Sequence, residues 1–174
     1  AFIMDEVITG FRLAAGGAQE HFGIKADLAT FGKVFGGGLP IGAVAGSARY
    51  MDALDGGAWQ FGDDSVPEAG VTYFAGTFVR HPLSMAAVLA CLKHMEANPG
   101  LQQEMNQRVA AFVARLRAAL EPLRAPLRIA TYTSIFRFEF TQDEPFGELL
   151  AHYFRARGIH TYDHRNQVMT TCHT

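Results

Sequence analysis

The chain has 174 residues, 49% of them hydrophobic, with 15 Lys and Arg against 17 Asp and Glu and a formal net charge of −2. That balance describes a globular protein and excludes a disordered chain, and it offers no basic surplus to attract nucleic acid or an anionic membrane. Two cysteines make neither a disulfide framework nor a metal spacing, which points to a reducing, cytoplasmic setting, and no apolar run is long enough to span a bilayer.

The chain opens on "AFIMDEV", with no initiator Met and no signal-peptide n-region, and stops at "TTCHT" with no closing helix. The expectation is an internal piece of a longer protein. Residues 1–5 read as a buried strand running into acids. "ADLATFG" is a second short apolar run, and "GAVAG" a third. Ser47 is placed to cap a helix over residues 49–54. "DGGAWQFGDDSVPEAG" is a long loop, and "VTYFAG" a β-prone run. Pro82 then opens a helix at its N1 position. The small apolar middle of that helix, Cys91 included, predicts burial on more than one side.

An Asn-Pro-Gly hinge at 98–100 follows. Over residues 101–123, Leu101, Met105, Val109, Phe112, Val113, Leu116 and Leu120 recur at spacings of three and four and make one apolar stripe. "LRIATYTSIFRFEF" is β-rich, and "SIFRFEF" alternates as a half-buried strand does. "PFGELLAHYFRARG" reads as a helix with Gly158 at C′; "IHTY" and "QVMTT" read as short strands. The order predicts α/β architecture for residues 1–97 and an α+β unit for residues 98–174.

Three stretches carry chemistry. In "TFGKVFGGGLPIG", Lys33 stands among apolar residues beside a run of glycines. A lysine is nucleophilic only when neutral; its ordinary pKa is about 10.4, and desolvation lowers it. Lys33 is either an ordinary loop residue or an amine able to condense with an aldehyde. In "FIMDEV", Asp5 ends an apolar run at the carboxyl end of a strand, where α/β ligands bind. Alternation puts Asp5 and Val7 on one face and turns Glu6 away. Asp5 either caps the following turn or holds a proton on a heterocyclic nitrogen. In "FAGTFVRHP", Thr77 before a helix suits a phosphate oxygen or forms a plain turn.

In this order and spacing, "FIMDEVITGFR", "DLATFGKVFGGGLPIGAVAG" and "FAGTFVRHPLSMAA" closely resemble the class III pyridoxal-phosphate aminotransferases. The resemblance is nearest to the glutamate semialdehyde aminomutase branch. Within it, "WQFGDDSVPEAGVTYFAGTFVRHPL" resembles the aminotransferase domains of hybrid polyketide/nonribosomal peptide synthetases. The match is strong over residues 1–95 and weaker beyond 98. It implies a partial fold-type I large domain over 1–97 and an incomplete small C-terminal domain over 98–174. It implies pyridoxal 5'-phosphate as cofactor, bound covalently through Lys33, which then moves the substrate proton. Asp5 would pair with the pyridine nitrogen, Val7 would pack on the ring, and Thr77 would reach the phosphate from the neighbouring subunit of a homodimer. The family's main phosphate-binding turn and ring-stacking aromatic lie upstream of the "DEV" strand, so this piece alone is expected neither to fold fully nor to bind cofactor tightly.

The implied reaction moves an amino group from a small-molecule donor to a keto or aldehyde acceptor. Here that acceptor would be a β-ketoacyl thioester on a carrier protein in the same polypeptide. A free-standing aminomutase or ω-aminotransferase is one alternative. A non-catalytic remnant used as an interaction surface is another. In the 56–70 loop, Asp63, Asp64 and Glu68 are solvated charges or shape an entrance for a tethered substrate. Trp59 and Phe61 line that entrance or anchor the loop by burial. Arg12 is expected to be structural through ion pairing. The seven histidines form no metal motif, His160 and His164 included.

Overall fold

The computed structural model describes residues 1–68, 70, 72–162 and 165–173, and divides into two compact units, Ala1–Pro99 and Gly100–Thr174. Among the described residues, no helix is long and apolar enough to cross a membrane.

The first unit holds β1 (Ile3–Glu6), α1 (Gly17–Phe22), β2 (Leu28–Phe31), a 3₁₀ turn (Lys33–Gly36), β3 (Ala43–Gly46), α2 (Ala48–Asp55) and α3 (Pro82–Ala97). β1 and β2 pair in parallel with Asp5 opposite Thr30, and β3 adds antiparallel to β2. Parallel strands need a crossover, and residues 7–27 with α1 supply it. Glu6 holds that crossover in place. Its carboxylate is wholly buried and accepts the N–H groups of Ala18 (3.0 Å) and Gln19 (2.8 Å) and the Thr9 hydroxyl. Gly17, at φ +73°, is required here twice over: the backbone is left-handed, and a side-chain carbon would lie 2.7 Å from Glu6 Oε2.

Leu13, Ala18, Ala29 and Val88 are buried in this unit. Phe11 stacks on Phe35 at 5.6 Å between centroids and tilts against Phe31 at 5.5 Å. α3 packs on the 3₁₀ turn so closely that a side-chain carbon on Gly37 would come within 2.5 Å of Cys91 Sγ. Cys91 is half-buried rather than enclosed.

Three local expectations are corrected. α3 starts with Pro at its first turn but buries only Ser84 and Val88, while Leu83, Met85 and Leu89 stay exposed. A helix buries the stripe that meets a neighbouring element, and small apolar composition does not by itself provide a second neighbour. Ser47 stands at the N-cap of α2, yet its side chain makes no capping hydrogen bond. The "VTYFAG" run forms no strand over its described residues, and Tyr73 is 90% exposed. β-propensity becomes a strand only where a ladder partner is present; Val71 lies outside the described residues.

The second unit holds α4 (Leu101–Leu120), a 3₁₀ turn (Glu121–Leu123), β4 (Leu127–Tyr132), β5 (Ile135–Phe140), α5 (Leu149–Ala156) and β6 (Gln167–Val168). The three strands form an antiparallel sheet in the order β4-β5-β6. The α4 stripe packs as its spacing requires: Val109 and Val113 join Ile129 and Phe136 in a buried core, with Phe112, Leu116, Leu120, Phe138 and Met169 around it. Phe112, Phe136, Phe138 and Phe154 continue it as a chain of rings 5.5–5.9 Å apart. Gly158, at φ +78°, follows the α5 cap as C′. "IHTY" is irregular rather than a strand, and β6 covers only two residues of "QVMTT". There the Gln167 side chain takes the place of a ladder, donating to the carbonyls of Tyr162 (2.8 Å) and Arg165 (3.0 Å).

Candidate active site

Asp5 lies near the carboxyl end of β1, and Lys33 follows the carboxyl end of the parallel neighbour β2. Both therefore stand at the edge where α/β sheets present ligand-binding groups. Asp5 is exposed, and its two oxygens differ. Oδ1 accepts the Val7 N–H at 2.9 Å and the Thr30 hydroxyl at 3.3 Å. Oδ2 has no hydrogen-bond partner among the described residues. The turn-capping role and the open acceptor thus coexist on one carboxylate.

Val7 joins the two strand ends. A side-chain carbon built on Gly32 would lie 3.4 Å from Val7 Cγ1, so a Val7 methyl faces the backbone immediately before Lys33. Asp5 and Val7 flank the buried Glu6, as alternation requires. Lys33 itself begins the 3₁₀ turn at φ +48°, a left-handed conformation uncommon for a side-chain-bearing residue. It is exposed, while its neighbours Val34 and Phe35 are half-buried. The arrangement supplies an open amine, a free carboxylate oxygen and an apolar methyl at one sheet edge.

Thr77 is not part of that group. It lies in a turn before α3 and lines a separate cavity with Phe35, Pro40, Ile41, Arg80 and His81. Arg12 is half-buried, and burial pushes its guanidinium below the ordinary value. It has no ion-pair partner among the described residues, contrary to the ion pairing expected of it.

In the 56–70 loop, Phe61 is 98% exposed and anchors nothing by burial, whereas Trp59 is only 36% exposed. Trp59 also donates its indole N–H to the Asp55 carbonyl. Hydrogen bonds from the Ser65 hydroxyl and N–H (the latter 2.8 Å) hold the Asp63 carboxyl below its ordinary value. Among the described residues no group of His, Cys, Asp and Glu could hold a metal; His164 lies outside them.

Sequence reasoning missed two residues that shape the site. Thr30 is paired to Asp5 by strand register, which local sequence does not encode. Glu6 is the buried half of an Asp-Glu pair; the signal was alternation itself, which leaves one of two adjacent acids facing inward.

A parallel strand pair thus presents an aspartate and a lysine at its carboxyl edge, where α/β sheets bind ligands. The chain belongs to the class-III aminotransferase family, whose model matches residues 1–174. It is 43% identical over 141 residues to a glutamate-1-semialdehyde 2,1-aminomutase from Nitratidesulfovibrio vulgaris strain Hildenborough, covering 81% of this chain and 30% of that protein. A glutamate-1-semialdehyde 2,1-aminomutase from Ruminiclostridium cellulolyticum is 38% identical over the same shares. Among solved structures, a β-phenylalanine aminotransferase from Variovorax paradoxus matches with a TM-score of 0.80 at 27% identity, covering 100% of this chain and 40% of that one. A transaminase with PLP bound matches with a TM-score of 0.78 at 26% identity, covering 97% and 39%. The fold is that of part of a fold-type I transaminase. The chain spans about 30% of the length of the curated relatives it matches.

Proposed function

We propose that this chain forms part of a pyridoxal-phosphate-dependent aminotransferase and contributes Lys33, Asp5, Val7 and Thr77 to its cofactor site. The observation that carries this is the meeting of Asp5, Val7 and the Lys33 turn at the carboxyl ends of two parallel strands. These residues fit the cofactor: an acceptor oxygen stands free, an amine is open, and a methyl lies beside them. When bound, pyridoxal phosphate supplies an aldehyde that captures amines and a ring that takes up the electron pair left when a substrate proton departs. Asp5 Oδ2 holds the proton on the ring nitrogen and so keeps the ring electron-poor. Thr30 and the Val7 N–H hold Oδ1 and fix the direction of the carboxylate. Val7 covers one face of the ring. Lys33 would hold the cofactor through its aldehyde group, and its amine would take up and return the substrate proton.

Thr77 donates its hydroxyl to the phosphate. Its cavity is lined by none of Asp5, Val7 or Lys33, which supports a homodimer in which Thr77 serves the partner's site. Residues 1–97 are then part of the cofactor-binding large domain and residues 98–174 part of the small domain, in a cytoplasmic protein. Because relatives of this family are more than twice as long, the isolated chain is expected to hold cofactor weakly and to be inactive.

The amino donor is a small molecule. The acceptor we favour is a carrier-bound β-ketoacyl thioester, supported by the "WQFGDDSVPEAG" loop, whose exposed Phe61 and acids lie open to a partner. The second possibility is a free-standing aminomutase, favoured by relatives of that name at about 40% identity. Borohydride reduction of the full-length protein with pyridoxal phosphate tests the core of the proposal. A phosphopyridoxyl group confined to the Lys33 peptide is expected; an unlabelled Lys33 in folded protein would overturn it.

A further inference from the structure

β4 is the outer strand of the second unit's sheet. β5 pairs with one side of it, and among the described residues no strand pairs with the other. Its register tells which backbone groups face that open side. Opposed residues of an antiparallel pair alternate between bonding each other and turning their backbone groups outward. The Thr141 N–H donates to the Pro126 carbonyl at 2.9 Å, so 126 and 141 form a bonded pair, and Leu127 opposite Phe140 continues the count. Leu127, Ile129 and Thr131 therefore turn their N–H and C=O groups away from β5. The Ile129 carbonyl confirms this, because on that side it accepts the Arg117 guanidinium at 2.6 Å in place of a strand.

A groove of about 700 Å³ follows this edge, lined by β4 and the end of α4. Its charged side chains are Arg117, Arg124, Arg128, Glu121 and Glu139. Glu139 is shared between Arg128 and Arg137. Arg117 spends its hydrogen bond on a neutral carbonyl, and exposed Arg124 has no ion-pair partner among the described residues. Glu121 is the one lining carboxylate that no arginine holds among them. An open row of backbone donors and acceptors thus lies beside uncompensated positive charge. Charge on an open edge discourages indiscriminate pairing, and cationic side chains do so with a bias: they repel basic strands and admit acidic ones.

We propose that the free edge of β4 docks an extended acidic segment of a partner protein by strand addition. The segment's backbone would bond the outward groups of Leu127, Ile129 and Thr131, with Arg117 released from the Ile129 carbonyl to meet a carboxylate. A second copy of β4 fits poorly, since it would set arginines against arginines. Nucleic acid has no backbone amides with which to continue the ladder. Docking at this edge needs neither cofactor nor turnover.

The test is fluorescence anisotropy of the full-length protein with a labelled peptide of alternating glutamate and threonine. Two control peptides replace glutamate by lysine or carry N-methyl groups on alternate amides. The glutamate peptide is expected to bind at least about tenfold more tightly than the lysine one, less so as salt rises. N-methylation removes the donors and should weaken it about tenfold. Arg124→Glu should weaken it about tenfold while leaving the unfolding midpoint unchanged, as suits an exposed position. Hydrogen exchange over residues 127–131 should slow when the glutamate peptide is added. Equal binding of the lysine or the N-methylated peptide, wild-type affinity in Arg124→Glu, or no binding at all would overturn the proposal. Exchange over 127–131 that is already slow without peptide would overturn it too. If that protection fades on dilution, a second copy holds the edge; if it persists, the protein's own chain does.

Discussion

The two units of this chain solve the problem of a core differently. The second unit has the more enclosed core: Val109 and Val113 are buried between α4 and its own sheet, and a chain of phenylalanine rings extends the packing, while Phe146, Tyr153 and Ile159 stay exposed. The first unit carries the candidate chemistry but leaves Phe2, Ile3, Leu83 and Leu89 at least half exposed. Beside its own buried Leu13, Ala29 and Val88 it relies on polar contacts and close backbone approach: the buried Glu6 carboxylate, the Gly17 turn, and α3 set down on Gly37. The first unit adds a buried carboxylate and its hydrogen bonds to a smaller apolar core; the second rests on apolar packing.

The largest effect expected belongs to the first unit. In the full-length protein, Lys33→Ala should lower turnover by about 10²- to 10⁴-fold through loss of the proton carrier alone, and abolish borohydride labelling of that peptide. A variant that still turns over at the wild-type rate would remove the chemistry from this unit.

The contrast in packing is tested by a matched pair. Phe136→Ala should cost about 3–5 kcal/mol, measured by denaturant unfolding of the full-length protein, because it opens a cavity in a closed core. Leu83→Ala, at a position 62% exposed, should stay within about 0.5 kcal/mol. A Leu83 cost above roughly 2 kcal/mol, the scale of buried leucines, would show that the outer face of α3 is covered in the longer protein and would narrow the difference between the units.

Polar support of the first unit comes next. Glu6→Ala leaves the N–H groups of Ala18 and Gln19 without their buried acceptor and should cost about 1–3 kcal/mol. Hydrogen exchange should rise over residues 7–19 before it rises in β4 and β5. Simultaneous exchange in both units would mean that the crossover does not depend on Glu6.

The smallest effect is electrostatic and lies in the second unit. The Arg137 side chain, with Arg128 beside it, holds the Glu139 carboxyl below its ordinary value of 4.5. A carboxyl lowered on folding stabilises fully above about that ordinary value, and the contribution fades as pH falls through the lowered one. Glu139→Gln should therefore flatten the acid limb of stability against pH below about 4.5 without altering the neutral plateau's shape. An unchanged acid limb would show the triad to be screened by solvent.

The sequence made some of this legible and hid the rest for physical reasons. The α4 stripe and the alternating "SIFRFEF" strand could be read because period and burial are local properties. Asp5, Val7 and Lys33 were singled out through the family resemblance of their stretches, and the fold brings Asp5, Val7 and the Lys33 turn to one sheet edge. Thr77 was found as a motif, but its separate cavity could not be anticipated. Thr30 escaped notice because register is set by chain elsewhere. The "VTYFAG" run misled because propensity says nothing about whether a neighbouring strand exists.

The division of labour on the Asp5 carboxylate bears on how its substitution would be read. Two donors, the Val7 N–H and the Thr30 hydroxyl, converge on Oδ1. An asparagine at this position would have only one sensible orientation: its carbonyl oxygen must face those donors, which forces its NH₂ into the place of Oδ2. Asp5→Asn would thus not merely weaken the acceptor. It would invert its polarity, offering a donor to whatever nitrogen arrives and selecting the unprotonated ring over the protonated one. Asp5→Ala, by contrast, would leave a vacancy that water can fill. Two substitutions usually treated as interchangeable would here perform opposite experiments.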